Sequence, residues 1–359
     1  MASEVENYQC PACTAPLRYD EKSGKLVCDF CGSSYEIGEL EGRCEETNAS
    51  PETLWEDEDL CAYVCPSCGA ELICEKTTAA TACPYCGNPA VVPGQLSGAL
   101  KPEFVLPFLV TRKQAVAALR THYGKYNFYL PKLFRSENQI QKVQGVYVPF
   151  WLFDATVEGA GSYDASDSVT TRRGDYEITR TMHYDVRREG SARFQKIPVD
   201  GSTKMPDNYM DSLEPFDYDQ LKPFSTGYLP GFLADRFDVS AEDSAPRMQS
   251  RCQETLETLL RQDVNHMMVV PRDFCAQVRE KTAHYALLPV WLLSTKWRDK
   301  TYLFAMNGQT GKFVGELPPS PALFWQNAGL LTRMLMLVLR FLGSAELILY
   351  LFILYGGAL

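Results

Sequence analysis

Histidine is scarce in this chain, with four residues in 359, which leaves little for histidine-based catalysis. No His-Glu-x-x-His and no Gly-x-Ser-x-Gly occurs, so the motifs of a zinc protease and of an α/β-hydrolase are both missing. One stretch looks phosphate-like, Gly308-Gln-Thr-Gly-Lys312. A Walker loop needs four residues between its glycines and Ser or Thr after the lysine; here two intervene and Phe313 follows. The stretch reads as a hairpin turn. Basic residues are short where a nucleic acid would need them: residues 1–100 hold five Lys and Arg against seventeen Asp and Glu, a charge of −12. Binding to a polyanion rests on Lys and Arg neutralising phosphates, so this region repels one.

The acids are concentrated. Residues 36–60 contain ten acids and one base, Arg43, so this segment alone carries −9 of the net −10. Such a run reads as a solvated linker, with a docking strip for a basic partner as the alternative. The whole chain is 45% hydrophobic and 22% charged, enough for a sizeable core and against global disorder.

Cysteine is abundant instead, with thirteen residues. Cys10-x2-Cys13 precedes Cys28-x2-Cys31, and Cys65-x2-Cys68 precedes Cys83-x2-Cys86. Both sets leave fourteen residues between their knuckles, and each ligand of the second lies 55 positions after its counterpart, so this is an internal repeat. Two residues between cysteines let one tight turn present both sulfurs. Four thiolates at tetrahedral corners suit Zn²⁺ and leave no open coordination position, so both sites read as structural zinc centres. Gly32, Gly69 and Gly87 suit the left-handed residue after a knuckle. Met1 to Gln9 is polar and acidic, unlike a secretory leader. Cys44, Cys61, Cys74, Cys252 and Cys275 are left over, an odd remainder that fits a reducing compartment. Between the knuckles, short strands around a turn complete a zinc-ribbon layout.

The fold class expected is α+β, and the domain boundaries follow from composition. Residues 1–37 form ribbon 1, 38–60 the acidic linker, 61–92 ribbon 2, 93–102 a linker, 103–318 an α+β domain and 319–359 a hydrophobic helical segment. In the α+β region, helices are expected at 112–122 and 246–264. Strands are expected at 143–157, 176–187, 192–199, 285–297 and 302–314, with a turn at Asn307-Gly308. Tyr147-Val-Pro-Phe-Trp and Leu287-Leu-Pro-Val-Trp align at a shift of 140, which suggests two related halves. A proline inside each strand predicts edges or strand starts. Asp207, Asp211, Glu214, Asp217 and Asp219 are expected in a solvated loop, and the aromatics of His122 to Tyr129 at a core edge.

Ala322 to Leu359 has only Arg333, Arg340 and Glu346 as charges, and its last nineteen residues, Phe341 to Leu359, reach the minimum for a bilayer span. Gln326, Arg333 and Arg340 are seven apart and share a helical face, as in an interfacial helix.

Taken together, the paired ribbons, Cys83-Pro-Tyr-Cys-Gly-Asn-Pro, Val146-Tyr-Val-Pro-Phe-Trp, Glu214-Pro-Phe-Asp-Tyr and Leu288-Pro-Val-Trp-Leu-Leu resemble bacterial, Firmicutes-type proteins described as TFIIB-type zinc-ribbon-containing. The resemblance implies a membrane-anchored double zinc ribbon, encoded beside phage-shock-type and SPFH-type membrane scaffolds and tethering such partners. It implies no catalytic residues. The function expected is therefore a non-enzymatic adaptor at the cell membrane, with its ribbons on the cytoplasmic side. The alternative is a nucleic-acid-binding factor in transcription or replication.

Overall fold

The structure is a computed structural model. It describes residues 8–40, 60–65, 71–75, 77–83, 89–92, 100–126, 130–136, 142–298 and 300–318, with a few shorter stretches. Most of the acidic segment and of 319–359 lies outside the described residues. Among the described residues no helix is long and apolar enough to cross a membrane; the apolar run 341–359 is not among them. The architecture is mixed α+β and mostly sheet.

Two compact units are present. The first comprises Met1–Thr111, Gln144–Leu292 and Ala305–Val314. The second comprises Arg112–Val143, Leu293–Phe304 and Gly315–Leu359.

The first unit begins with a three-stranded ribbon of β1 (Leu17–Asp20), β2 (Lys25–Cys28) and β3 (Ser34–Tyr35), all antiparallel. Leu17 and Leu26 are its fully buried apolar residues. Next come β4 (Leu60–Val64), β5 (Glu71–Glu75), β6 (Thr78–Ala82) and β7 (Pro89–Val91). The strand β6 leaves this ribbon to pair with β10 (Leu233–Asp235), through Ala80 and Ala234. The second cysteine repeat is thus stitched into the large sheet.

Three long strands form that sheet's centre: β8 (Gln144–Arg173), β9 (Tyr176–Asp200) and β11 (Met268–Trp297). β8 and β9 make one hairpin paired from Phe150↔Asp200 to Arg173↔Tyr176, and β11 runs antiparallel along the other edge of β8 as far as Ser166↔Met268. Here the expected strands at 176–187 and 192–199 are one element. The two aligned segments are direct partners, Tyr147 opposite Pro289 and Pro149 opposite Leu287. Neither proline marks an edge or a strand start. Pro149 falls between the rungs that pair with β10, at Val146 and Tyr147, and those that pair with β9, which start at Phe150. A missing N–H costs no ladder bond at such a gap.

Helix α2 (Ala241–Gln262; α1 is Arg112–Lys125) lies on one face of these strands. It starts five residues before Pro246, the expected start. The Ser240 hydroxyl accepts from the Asp243 N–H at 3.1 Å and caps it. Ala245, Met248, Cys252, Leu256 and Leu260 recur at helical spacing and pack on Phe153, Val157, Tyr163 and Ala165 of β8. Gly159 and Gly190 allow that approach. A Cβ on Gly159 would lie 2.9 Å from Leu256 Cδ2, and one on Gly190 3.1 Å from Leu260 Cδ2.

The turn after β12 (Lys300–Asn307) is the hairpin expected, closing on β13 (Phe313–Gly315) with Asn307 N–H donating to the Lys312 carbonyl at 2.7 Å. In the second unit, α1 buries Ala115, Val116, Leu119 and Tyr123. Rings of Tyr123, Phe134, Trp297, Tyr302 and Phe304 cluster edge to face, with His122 against Tyr126.

Candidate metal centre

The first four-cysteine set is held by two knuckles of identical hydrogen bonding. Cys10 N–H donates to the Ala15 carbonyl at 2.7 Å and Thr14 N–H to the Cys10 carbonyl at 2.8 Å. Cys28 N–H donates to the Ser33 carbonyl and Gly32 N–H to the Cys28 carbonyl, both at 2.9 Å. Gly32 takes the left-handed conformation, φ 75°, as its position predicted; the first knuckle does the same with Thr14 at φ 59°. No glycine signals that position in the sequence.

These turns bring all four Sγ atoms within 4.8 Å of one another. Cys10 and Cys31 are 3.5 Å apart, as are Cys13 and Cys28. A tetrahedral zinc with Zn–S bonds of about 2.3 Å separates its sulfurs by about 3.8 Å. The observed spacing therefore fits a zinc ion. Cys10 and Cys28 are buried while Cys13 and Cys31 face solvent. Tyr35 Oη lies 3.5 Å from Cys10 Sγ and Ser33 Oγ 3.2 Å from Cys31 Sγ. These hydroxyls can donate to thiolates, and they pull both thiols down: Cys10 chiefly through Tyr35, Cys31 to about 6 chiefly through Ser33. Cys13 receives a favourable backbone hydrogen bond from Ala15. It is still pushed up to about 12 by sharing with Cys28, by loss of solvent and by Cys31 and Cys10. Four sulfurs this close ionise together only around a cation, which is the chemistry of a four-thiolate zinc site.

Of the second set, Cys65 and Cys83 are buried in one cluster with Tyr63, Ala90 and Val92, with Cys74 against it. Cys68 and Cys86 lie outside the described residues. In the register of β4 and β5, Cys61 stands directly opposite Cys74.

The acidic stretch 207–219 is not the solvated loop expected: Asp207–Ser212 is a short helix and a 3-10 turn starts at Tyr218. Two arginines of α2 grip it: Arg247 reaches Asp211 at 2.7 Å and Asp207 at 3.0 Å, as well as Asp200 at the end of β9 at 2.6 Å, and Arg251 reaches Glu214 at 2.7 Å. Lys312 Nζ donates to the Glu214 carbonyl, Asn307 Nδ2 to those of Leu213 and Pro215, and Gln309 exchanges two bonds with the Asp217 backbone. The phosphate-like stretch is a clamp on this loop. Arg247 and Arg251 escaped the sequence reading because their partners are 36 to 47 residues away. An arginine pair one helical turn apart carries no local signal of that.

A family profile described as Trm112p-like protein matches residues 9–39, the span of the first ribbon. Over 317 residues the chain is 35% identical to the "Uncharacterized protein YdjG" of Bacillus subtilis (strain 168), covering 88% of this chain and 91% of that one. The chain belongs to the YdjG family. No solved structure matches it. The ribbon is thus a Trm112p-like zinc-binding module within a long shared architecture.

Proposed function

We propose that this chain is a non-enzymatic zinc-ribbon adaptor that recruits protein partners at a membrane. The observation that carries the reading is the closure of the first site. Four thiolates fill a tetrahedron and leave no position for water or substrate, so its zinc is structural and its outer surface is free for recognition. The carboxylates of Asp207, Asp211 and Glu214 are paired with Arg247 and Arg251, which also favours a binding role over a catalytic one. In this reading Cys65, Cys68, Cys83 and Cys86 hold a second zinc in a TFIIB-type ribbon, and 341–359 anchors the chain with the ribbons on the cytoplasmic side. The partners are membrane scaffolds of the SPFH or phage-shock type.

The test is a tagged pull-down from detergent-solubilised membranes, comparing the native chain with Cys28→Ser. The adaptor reading expects such scaffolds with the native chain and their loss with the variant. Specific nucleic-acid affinity tighter than roughly 10⁻⁷ M at physiological salt, beyond ordinary non-specific binding, would replace it with the nucleic-acid reading.

A further inference from the structure

The hairpin of β8 and β9 outruns everything packed against it. Helix α2 ends at Gln262 and β11 begins opposite Ser166. Beyond that point the arm is two strands, Asp167 to Arg173 paired with Tyr176 to Met182. Side chains alternate across a strand. Tyr163 and Ala165 face α2 in the core, so Asp167, Val169, Thr171 and Arg173 continue that face. Their rung partners Met182, Arg180, Ile178 and Tyr176 join them, together with Tyr184 opposite Ala165.

Beyond Tyr184, whose ring stacks on His266 at 4.5 Å, the apolar side chains of this face are uncovered. Val169, Ile178 and Tyr176 are 54%, 50% and 77% exposed, and Met182 and Tyr184 close to 40%. The rear face instead carries hydroxyl pairs, Ser168 with Thr181 and Thr170 with Thr179, each at 2.9 Å. Nearer the body it also exposes Met268 and Val270. The distal ribbon is thus amphipathic over roughly 20–25 Å at about 3.3 Å per residue. A two-stranded ribbon is marginal in water without cover on its apolar side.

Charge says what covers it. The one acid on this face, Asp167, is engaged by His266 Nδ1 and the Met267 N–H, both at 2.9 Å. Arg173 and Arg180 have no ion pair among the described residues. A second copy of the face would bring two more arginines and no free acid to pair with them. An anionic apolar surface complements it: aliphatic and Met side chains bury, tyrosines sit at the headgroup level, and arginines reach phosphates.

We propose that the distal face of this arm, from Asp167 to Tyr184, rests on an anionic lipid surface. The inference rests on the membrane reading above and adds a second, peripheral contact to its C-terminal anchor. It is tested in the full chain carrying Tyr176→Trp, reconstituted with vesicles of phosphatidylcholine and phosphatidylglycerol, with the parent chain's emission subtracted. The expected result is a blue-shifted Trp signal quenched by brominated acyl chains. Arg173→Ala or Arg180→Ala should each lower the bound-to-free ratio of the arm about fivefold, the effect of one cation near an anionic surface. Ile178→Asp should abolish the quenching. A chain that floats with vesicles while the indole introduced by Tyr176→Trp stays open to iodide overturns the inference and leaves the anchor standing. That result would assign the face to an acidic amphipathic protein segment. A chain that does not float overturns both.

Discussion

The hydroxyl of Tyr8, two residues before the first zinc ligand, lies 2.5 Å from the hydroxyl of Thr226. This contact opens a seam between the ribbon and the 225–232 loop. Tyr19 N–H donates to the Pro230 carbonyl at 2.9 Å, and the Tyr19 ring meets Tyr228 and Phe232 at 5.4 and 6.4 Å. Phe232 in turn stacks on Phe108 at 4.2 Å. The ribbon is docked on the body.

Small ribbons draw much of their folding energy from metal. Removing zinc from the first site should therefore loosen the 225–232 loop as well as the ribbon. Hydrogen exchange on Cys28→Ser is expected to show lost protection at Tyr19, Gly227 and Phe232. Loss confined to residues 8–40 would show that the ribbon folds independently of its dock.

The seam can be broken without touching a ligand. A Cβ on Gly227 would lie 2.5 Å from Ile37 Cγ2. Gly227→Ala should destabilise by about 1–3 kcal/mol, the usual cost of overpacking, while zinc content stays unchanged. Denaturant unfolding alongside metal analysis separates the two effects. Zinc loss in this variant would mean that the dock itself holds the site together.

Asp200 provides a pH test. Its side chain is 1% exposed and leans on Arg247 at 2.6 Å. Burial holds its carboxyl above the ordinary range, with Arg247 opposing. A carboxyl raised in the folded state binds protons more readily there than when unfolded. Its contribution to stability therefore falls as pH rises through the folded value, and returns on acidification. Arg247→Ala strips the opposing charge and should cost about 3–5 kcal/mol near neutrality. That penalty should shrink as pH falls, because Asp200 is then neutral. Urea unfolding across pH checks it; a penalty independent of pH would contradict the assignment.

The hydroxyls beside the thiolates should govern how firmly metal is held. Ser33→Ala and Tyr35→Phe remove the groups nearest Cys31 and Cys10. Each should weaken zinc about tenfold, at the low end for loss of an outer partner. Competition with a chromophoric chelator measures this. Unchanged retention would make both residues ordinary surface positions.

The first metal site was legible residue by residue, because a knuckle is local: two cysteines, one turn and a fixed hydrogen-bond pattern. The turn at Asn307 was legible for the same reason. The long arm was not. Gly159 and Gly190 punctuate β8 and β9 like turn residues, yet they serve the close approach of Leu256 and Leu260. Pro149 and Pro289 imitate edges but sit where the neighbouring strand changes. Pro246 hid the helix start, whose signal was the cap at Ser240. Pairings made across the chain, such as Arg251 with Glu214, leave no periodic trace.

Zinc stoichiometry with absorption spectroscopy at the zinc edge tests the central claim most directly. Chelator-washed chain is expected to hold about two zinc ions, each with four sulfurs at about 2.3 Å, and Cys28→Ser to lose the first. A chain that holds no zinc, or zinc bound by oxygen or nitrogen in place of sulfur, would contradict the account.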